Sequence, residues 1–499
     1  MPFDAPGIDY HAFAPEILLV ATLVVLLLVD LIFEERARWA TSTIAGVGLL
    51  ASVVPVLTLA VDGADRSLFG GAYVVDDFAL VLKALFLVAG YVTVLISTDY
   101  IADGDYYEGE YYFLLLSSLL GMTIMASSRD LISIFVALEL LSIPAYLLAG
   151  WRKRDLRGNE ASLKYYLLGV FASAVMLYGM SLVFGVTGST VLTEIGESLA
   201  EGARSAPLVT VGILFVVVGF AFKVSAVPFH SWAPDTYEGA PTPITAFLSV
   251  ASKAAGFVAL VQLVFIAFLG RDDVWAPLFW ILAAVTMTVG NLIALRQTNV
   301  VRLLAYSSVA QAGFMLAPFA VAADIPADRG GIDTATGAVV TYLLIYAAMN
   351  LGAFAVVMAV ARRTRSAEMS SYAGLFTYAP GLAVLMAVFL FALAGIPPLA
   401  GWYAKFVVFK TMLDAGTAAA VTLAVIAAVN SVIALFYYAS VARQMLMEEP
   451  AADGDTTRVR IPASLAAALG LCAVATLAFG FAPGLIAELG DLALFGLLP

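Results

Sequence analysis

The sequence predicts an all-α polytopic membrane protein of about fourteen transmembrane helices, two of them discontinuous. Three observations carry that prediction. Of the 499 residues 62% are apolar and only 12% charged, with a mean hydropathy of +0.97; such a chain cannot build a polar exterior for water but needs little of one in lipid. Apolar runs of the roughly 20 residues that cross a bilayer follow one another along the whole length. Two of these runs carry prolines where a continuous helix needs amide donors.

In chain order the spans centre on Val25, Val53, Val88, Leu119, Leu140, Val175, Val218, Leu260, Ala284, Ser308, Met349, the interrupted stretch Val388 to Phe406, Val429 and Ala473. Ahead of the first span, Asp4, Asp9 and Glu16 appear without any lysine or arginine, so that span reads as a retained helix rather than a cleaved signal. The loops alternate in basic residues. Arg36, Arg38, Arg152, Lys153, Arg154, Arg157, Arg296, Arg302, Arg362, Arg363, Arg365, Arg443, Arg458 and Arg460 fall on one side, against Arg66, Arg129, Arg204, Arg271 and Arg329 on the other. The positive-inside rule then puts both termini outside with an even number of spans.

The net charge of -12 comes from loops such as the one holding Asp99, Asp103, Asp105, Glu108 and Glu110. Its spacing matches no calcium-loop signature, so it reads as a solvated acidic segment. Acidic loops with scarce surface lysine suit a halophilic source. The single cysteine, Cys472, lies inside the last span as a packing residue, which excludes thiolate metal centres, iron–sulfur clusters and internal disulfides. No phosphate loop or dinucleotide fingerprint occurs, and no nucleic-acid partner is expected.

The informative residues are the lysines. Lys83, Lys223, Lys253 and Lys405 lie inside apolar spans, where an ammonium costs about 2.5–3.5 kcal/mol on insertion scales and is a functional-site hypothesis by default. The arginines fall in loops or at span ends, where they can stay wet. A lysine, unlike an arginine, can release its proton once buried. Glu139, five residues before Pro144, is an intramembrane acid in want of a cation. Lys223 precedes Pro228, His230 and Trp232; Lys253 follows one span later among small residues; Lys405 follows Pro397, Pro398 and Trp402. A pair of proline-interrupted spans in corresponding halves points to inverted repeats around a membrane-buried ion path. Pairing Phe220 and Pro228 with Phe391 and Pro397 gives the organisation 1–110 N-terminal helices, 111–270 first repeat, 271–445 second repeat and 446–499 C-terminal helix. Lys83 is expected to reach an interface or pair with Asp76 or Asp77, and Lys410 to anchor a span end. Tyr306, Ser307, Ser308 and Gln311 either line a water path or bridge helices.

Glu139 before its proline, Lys223 with Val-Pro-Phe-His-Ser-Trp, the run Tyr237-Glu-Gly-Ala-Pro-Thr-Pro, Lys253, and Gly-Ile-Pro-Pro-Leu-Ala-Gly-Trp with Lys405 together resemble the antiporter-like membrane subunits of respiratory complex I, over nearly the whole chain. That family also includes subunits of multi-subunit sodium/proton antiporters and membrane-bound hydrogenases. The resemblance implies a proton-translocating subunit of a redox-driven NADH (or related donor):quinone oxidoreductase in a prokaryotic plasma membrane. No cofactor is expected in this chain; quinone, flavin and iron–sulfur clusters would belong to partner subunits, membrane-bound and peripheral. It further implies that Glu139 and Lys223 form a charge pair in the first half-channel, that Lys253 is the central relay and that Lys405 serves the outside exit. His230 would assist between Lys223 and Lys253, and Lys164 would sit near the cytoplasmic uptake side. A sodium/proton antiporter subunit, a stand-alone transporter and a non-pumping scaffold remain as rivals.

Overall fold

A computed structural model of the chain describes residues 7–33, 38–104, 108–201, 207–326, 330–450 and 459–492. Asp4, Arg36, Asp105, Arg204, Arg329 and Arg458 lie outside the described residues. The described chain is almost wholly helical, apart from one short hairpin, β1 (Arg66–Leu68) with β2 (Tyr73–Val75). The helices are α1 (Ala14–Phe33), α2 (Arg38–Asp62), α3 (Asp77–Ala102), α4 (Glu108–Ser127), α5 (Leu131–Ala149), α6 (Leu156–Thr187), α7 (Leu192–Glu201), α8 (Pro207–Lys223) and α9 (Trp232–Gly239). They continue as α10 (Thr242–Ala267), which contains two π-helical turns, α11 (Asp272–Ala294), α12 (Val300–Val321), α13 (Gly331–Thr364), α14 (Pro380–Ala394), α15 (Ala400–Ala415), α16 (Ala418–Met447), α17 (Ala463–Phe481) and α18 (Gly484–Leu492).

Twelve of these are long and apolar enough to cross a membrane, and the shorter apolar helices α8 and α14 are the first halves of the two interrupted spans. Every expected span centre falls inside a helix. Burial sorts them: α10 is buried along its length and α12 and α13 nearly so, whereas α1, α6, α16 and α17 each bury about a third of their apolar window. Lys253 therefore sits on the most buried helix, and Ser307, Ser308, Gln311, Tyr342 and Tyr346 on the two next in burial. Close helix approach depends on glycine: a Cβ on Gly179 of α6 would lie 2.7 Å from the Gly212 carbonyl of α8, the small-residue contact that membrane helices favour.

Two stretches repeat the same local devices. Asp130 caps α5 by accepting from the amides of Ile132 and Ser133, and Asn299 caps α12 through Val301 and Arg302. Each cap is stitched to the chain beyond the next helix: Leu131 N to Thr190 O and Leu192 N to Arg129 O in the first, Val300 N to Ala367 O and Met369 N to Thr298 O in the second. Left-handed residues end both of those following helices, Gly188 and Arg365. The interruptions match as well. Ser225 and Gly395 have positive φ, and Val227-Pro228 and Pro397-Pro398 are cis. Pro228 thus corresponds to Pro398, one residue on from the pairing expected from sequence.

Three charge expectations need correction. Lys83 neither reaches an interface nor pairs with Asp76 or Asp77; its ammonium lies 3.0 Å from Glu16 in α1, with both groups buried. Asp76 is taken by Arg129 at 2.9 Å. Arg129 and Arg271 are not wet but buried, because each has a carboxylate at hand, Asp76 and Asp273. The acidic segment is solvated only in part: Asp103 and Glu110 are exposed, but Asp103 pairs with Arg362, Asp99 accepts from Ser464 and Glu108 is buried. Cys472 is buried as expected. Lys410 is exposed and pairs one turn on with Asp414 at 2.7 Å.

Candidate functional site

Lys223 is the last residue of α8, where the helix stops because Ser225 turns left-handed and Pro228 has no amide to donate. The backbone groups freed by the interruption are satisfied. Val227 N donates to Thr286 Oγ1 at 3.0 Å, and Trp232 Nε1 donates to Phe222 O at 3.0 Å. Helix ends at membrane depth are tolerated only under such internal satisfaction. The Lys223 ammonium donates to Ser142 Oγ at 2.9 Å and to Tyr165 Oη at 3.3 Å, and Tyr165 is stacked on Trp232 at 4.4 Å.

Glu139 and Lys223, expected as a charge pair, are not in salt-bridge contact here. Glu139 stands one turn before Ser142 on α5, and its Oε1 is buried without a hydrogen-bond partner. Ser142 thus holds the ammonium that the carboxylate was expected to hold. The carboxylate waits on the same helix face, so swinging the lysine by one turn would exchange a neutral acceptor for a charged one.

Lys253 begins the α-helical stretch of α10 that follows the π-helical turn Leu248–Ser252. Its ammonium donates to the carbonyl of Ser308 at 2.7 Å and to Ser308 Oγ at 2.5 Å. Tyr346 donates to the same Oγ at 2.9 Å, and Asn350 donates to Ser249 at 2.7 Å. Gly256, one turn along α10, leaves room for the Lys223 stem: a Cβ there would lie 3.1 Å from Lys223 Cγ. Lys405, on the far side of the second interruption, donates to Ala394 O at 2.7 Å, with its ammonium 4.9 Å from the Phe314 ring centroid.

Between Lys253 and Lys405 runs a buried polar bridge. Ser307, next to Ser308, is hydrogen-bonded to Tyr438; Gln311 donates to Tyr438 Oη at 3.3 Å and to Leu393 O at 3.0 Å, and accepts from Tyr342. Leu393 adjoins Ala394, the acceptor of Lys405. Tyr306 takes no part; the bridge uses Ser307, Ser308 and Gln311. Hydroxyls and amides can both donate and accept, so such a bridge can rearrange its hydrogen bonds; within it Gln311, Tyr438 and Ser308 each have more than one partner.

Two expected residues sit off this line. Lys164 is half-exposed, bound to Glu160 at 2.7 Å and to Asp235 at 2.8 Å, and Asp235 and Glu238 also hold Arg302. That network ties α6, α9 and α12 together at one mouth of the bundle. His230 is not hydrogen-bonded to either lysine: its Nδ1 is buried without a partner and its ring lies edge-on to Tyr306, centroids 6.4 Å apart.

Sequence reasoning missed Ser142, Tyr165, Tyr342, Tyr346, Asn350 and Tyr438. The repeat held a usable signal. Read in register from the caps of α5 and α12, Glu139 corresponds to Ser308 and Ser142 to Gln311; read from the ends of α6 and α13, Tyr165 corresponds to Tyr342. Finding the bridge by sequence needed that register, which the caps fix and the apolar pattern does not. Among the described residues no group of three His, Cys, Asp or Glu side chains gathers as a metal site.

Comparison with known proteins agrees with the fold. Residues 128–431 match the family described as NADH:quinone oxidoreductase/Mrp antiporter, transmembrane. A relative from Trichlorobacter lovleyi, NADH-quinone oxidoreductase subunit N, is 39% identical over 483 residues, 96% of each chain. A chain of respiratory complex I from Thermus thermophilus superposes with a TM-score of 0.77 at 31% identity, covering 95% of this chain and 98% of that one. A chain of the Mrp complex from a Dietzia species reaches 0.84 at 22% identity over 97% of both, which is a likeness of fold.

Proposed function

The chain belongs to the transmembrane family shared by NADH:quinone oxidoreductases and Mrp antiporters, and we infer that it is the proton-translocating membrane subunit, of the N type, of an NADH:quinone oxidoreductase complex. The observation that carries this reading is the set of three buried ammonium groups ending on neutral oxygens, two of them, Lys253 and Lys405, flanking the polar bridge of Ser307, Ser308, Tyr438 and Gln311. The near full-length identity to a subunit N relative supports the oxidoreductase over the antiporter. The line is made of ammonium groups, which repel a metal cation, and this too favours the proton over sodium.

The residues divide the work. Lys223 and Glu139 make the first step, with Ser142 and Tyr165 as the resting acceptors of the ammonium. An ammonium with a carboxylate beside it keeps its proton, and one left in apolar surroundings without that charge gives it up; the swing between Ser142 and Glu139 is therefore the loading movement. Lys253 receives and passes the proton through Ser308, and Lys405 hands it to the opposite side. Lys164, with Asp235 and Glu160, collects protons at the uptake mouth, and His230 assists between Lys223 and Lys253. Residues 111–270 and 271–445 act as inverted half-channels, with 1–110 and 446–499 flanking them. Flavin, iron–sulfur clusters and quinone belong to partner subunits, so electron transfer reaches this chain as an electrostatic or mechanical push. The chain lies in a prokaryotic plasma membrane with both termini outside.

The test uses the assembled complex in sealed vesicles, with NADH:quinone turnover and proton uptake measured together. Lys223→Met, Lys253→Met and Lys405→Met should each abolish most proton uptake in assembled complex. Parent-level uptake at parent turnover in all three would refute the reading. Recovery of the tagged chain with small antiporter-type subunits alone would move it to sodium/proton exchange.

A further inference from the structure

Two buried acid–base pairs sit side by side where the hairpin meets α1, α3 and the end of α4, and they differ in one respect. Asp76–Arg129 is complete: Asp76 Oδ2 takes Arg129 Nη2 at 2.9 Å, and Oδ1 takes the Ala79 amide at 2.9 Å as the cap of α3. Glu16–Lys83 is not. Lys83 Nζ lies 3.0 Å from Glu16 Oε1 and donates to Tyr73 Oη at 2.8 Å, but the carboxylate contact is poorly directed and Glu16 Oε2 has no hydrogen-bond partner. Ser127 Oγ, beside the Ser128 that bridges Tyr73, is also buried without a partner. A pair kept for architecture is expected to satisfy its lone pairs, because a half-satisfied buried pair is less stable than apolar side chains of the same shape.

The incomplete pair repeats the chemistry around Lys223. There a lysine contacts a tyrosine hydroxyl, stands 5.8 Å from the same ring centroid, and has a nearby glutamate with a bare oxygen. Here Lys83 contacts Tyr73, stands 5.0 Å from its ring centroid, and faces Glu16 with its bare oxygen. Glu16 lies in the first turn of α1, and Lys83 is six residues into α3, about 9 Å below the helix start at 1.5 Å per residue. The cluster is thus near the hairpin face of the bundle, not at its centre.

We propose that Glu16, Lys83 and Tyr73 form a proton-binding site separate from the Lys223, Lys253 and Lys405 line, at the face that carries the hairpin. The inference rests on the reading that such lysine, tyrosine and glutamate sets carry protons in this chain. Loading adds one proton to Glu16 Oε2, forming an O–H bond and turning the carboxylate–ammonium pair into a carboxylic acid beside an ammonium; unloading returns that proton to water. The charged groups facing Glu16 are Lys83 from α3, and Asp76 and Arg129, which neutralise each other. Tyr73 fixes the ammonium so that Oε2 stays free to receive.

The assembled complex in vesicles decides this with redox-induced infrared difference spectra and proton counting. The parent should show a carboxylic-acid C=O band that shifts in deuterium oxide. Glu16→Gln, of the same shape, should lose that band and slow proton uptake by about a hundredfold, the low end of what a positioned acid–base group contributes. The charge-neutral pair Glu16→Gln with Lys83→Met should behave as Glu16→Gln does. An unchanged band and parent-level uptake in assembled Glu16→Gln would overturn the proposal and leave the pair as a staple between α1 and α3. If Glu16→Gln does not assemble, Glu16→Asp keeps the acid and must move the band; an unmoved band overturns the proposal. Lys223→Met separates the two readings: parent-level uptake there sinks the relay line, whereas the Glu16 band reports on this site alone.

Discussion

Removing the Ser142 hydroxyl tests whether Lys223 works by changing partners. In the structure the ammonium has two acceptors, Ser142 Oγ at 2.9 Å and Tyr165 Oη at 3.3 Å, and Glu139 is not one of them. Ser142→Ala leaves only the longer contact. A hydrogen bond from a charged donor contributes about 1.5–3 kcal/mol, so the balance between the serine-held and glutamate-facing positions shifts roughly 10- to 150-fold toward Glu139, at 1.4 kcal/mol per factor of ten. An ammonium parked against its counter-ion holds its proton. The expected outcome is proton uptake slowed by at least about tenfold, the same balance read as a rate, at parent assembly; Ser142→Thr, which keeps a hydroxyl, should restore most of it. The assay is dye-reported uptake in vesicles with quinone turnover followed in parallel. Parent-level uptake in assembled Ser142→Ala would refute the partner exchange and reinstate a fixed Glu139–Lys223 pair or a purely structural lysine.

Other substitutions separate scaffold from line. Asp76→Asn removes the carboxylate that faces the buried Arg129 guanidinium, and breaking one partner of such a pair costs about 3–5 kcal/mol; thermal melting of the purified complex should show a lower midpoint or loss of the subunit. Thr286→Val leaves the Val227 amide of the first interruption without its acceptor, a penalty of about 1–3 kcal/mol, seen as faster proteolysis between α8 and α9 with little change at the second interruption. Gly121→Ala puts a Cβ 2.6 Å from the Leu141 amide and should push α4 from α5, whereas Gly470→Ala meets nothing within 4 Å; assembly yield by native gel should fall for the first and hold for the second.

The fold was legible because its signal is apolar length, and every span centre from Val25 to Ala473 landed in a helix. The interruptions were legible because proline chemistry is local: Pro228 and Pro398 break helices whatever surrounds them. Partners were not. Lys83 was sought beside Asp76 and Asp77, a few residues away, but a buried ammonium takes the nearest acid in space, and α1 delivers Glu16. Arg129 was assigned to water since it lies between spans; yet the hairpin folds back over it, with Arg129 N donating to Ala72 O. The lysines were found by their cost in lipid, but their acceptors are serines, tyrosines and backbone carbonyls, residues common in any membrane helix. Nothing in composition distinguishes Ser142 from Ser133 on the same helix; only the position of Lys223 does.

The register between the two halves explains why the line crosses from one to the other. Where the first half has Glu139 and Lys223, the second has Ser308 and Leu393, both uncharged, while the supporting polar pair survives as Gln311 with Tyr342 in place of Ser142 with Tyr165. The second half therefore has acceptors without their cation. Lys253 supplies one from the last helix of the first half, binding Ser308, and Lys405 supplies another from beyond the interruption, binding Ala394 O beside the Leu393 carbonyl that Gln311 holds. Because α10 carries Lys253 and also passes the Lys223 stem at Gly256, a small rotation of α10 acts on both lysines at once. The π-helical turn just before Lys253 has one residue more per hydrogen-bonded turn than its surroundings, a local irregularity frequent at functional sites. A charge arriving at Lys223 can thus alter the contact of Lys253 with Ser308 through one shared helix, without a continuous chain of hydrogen bonds between the two lysines.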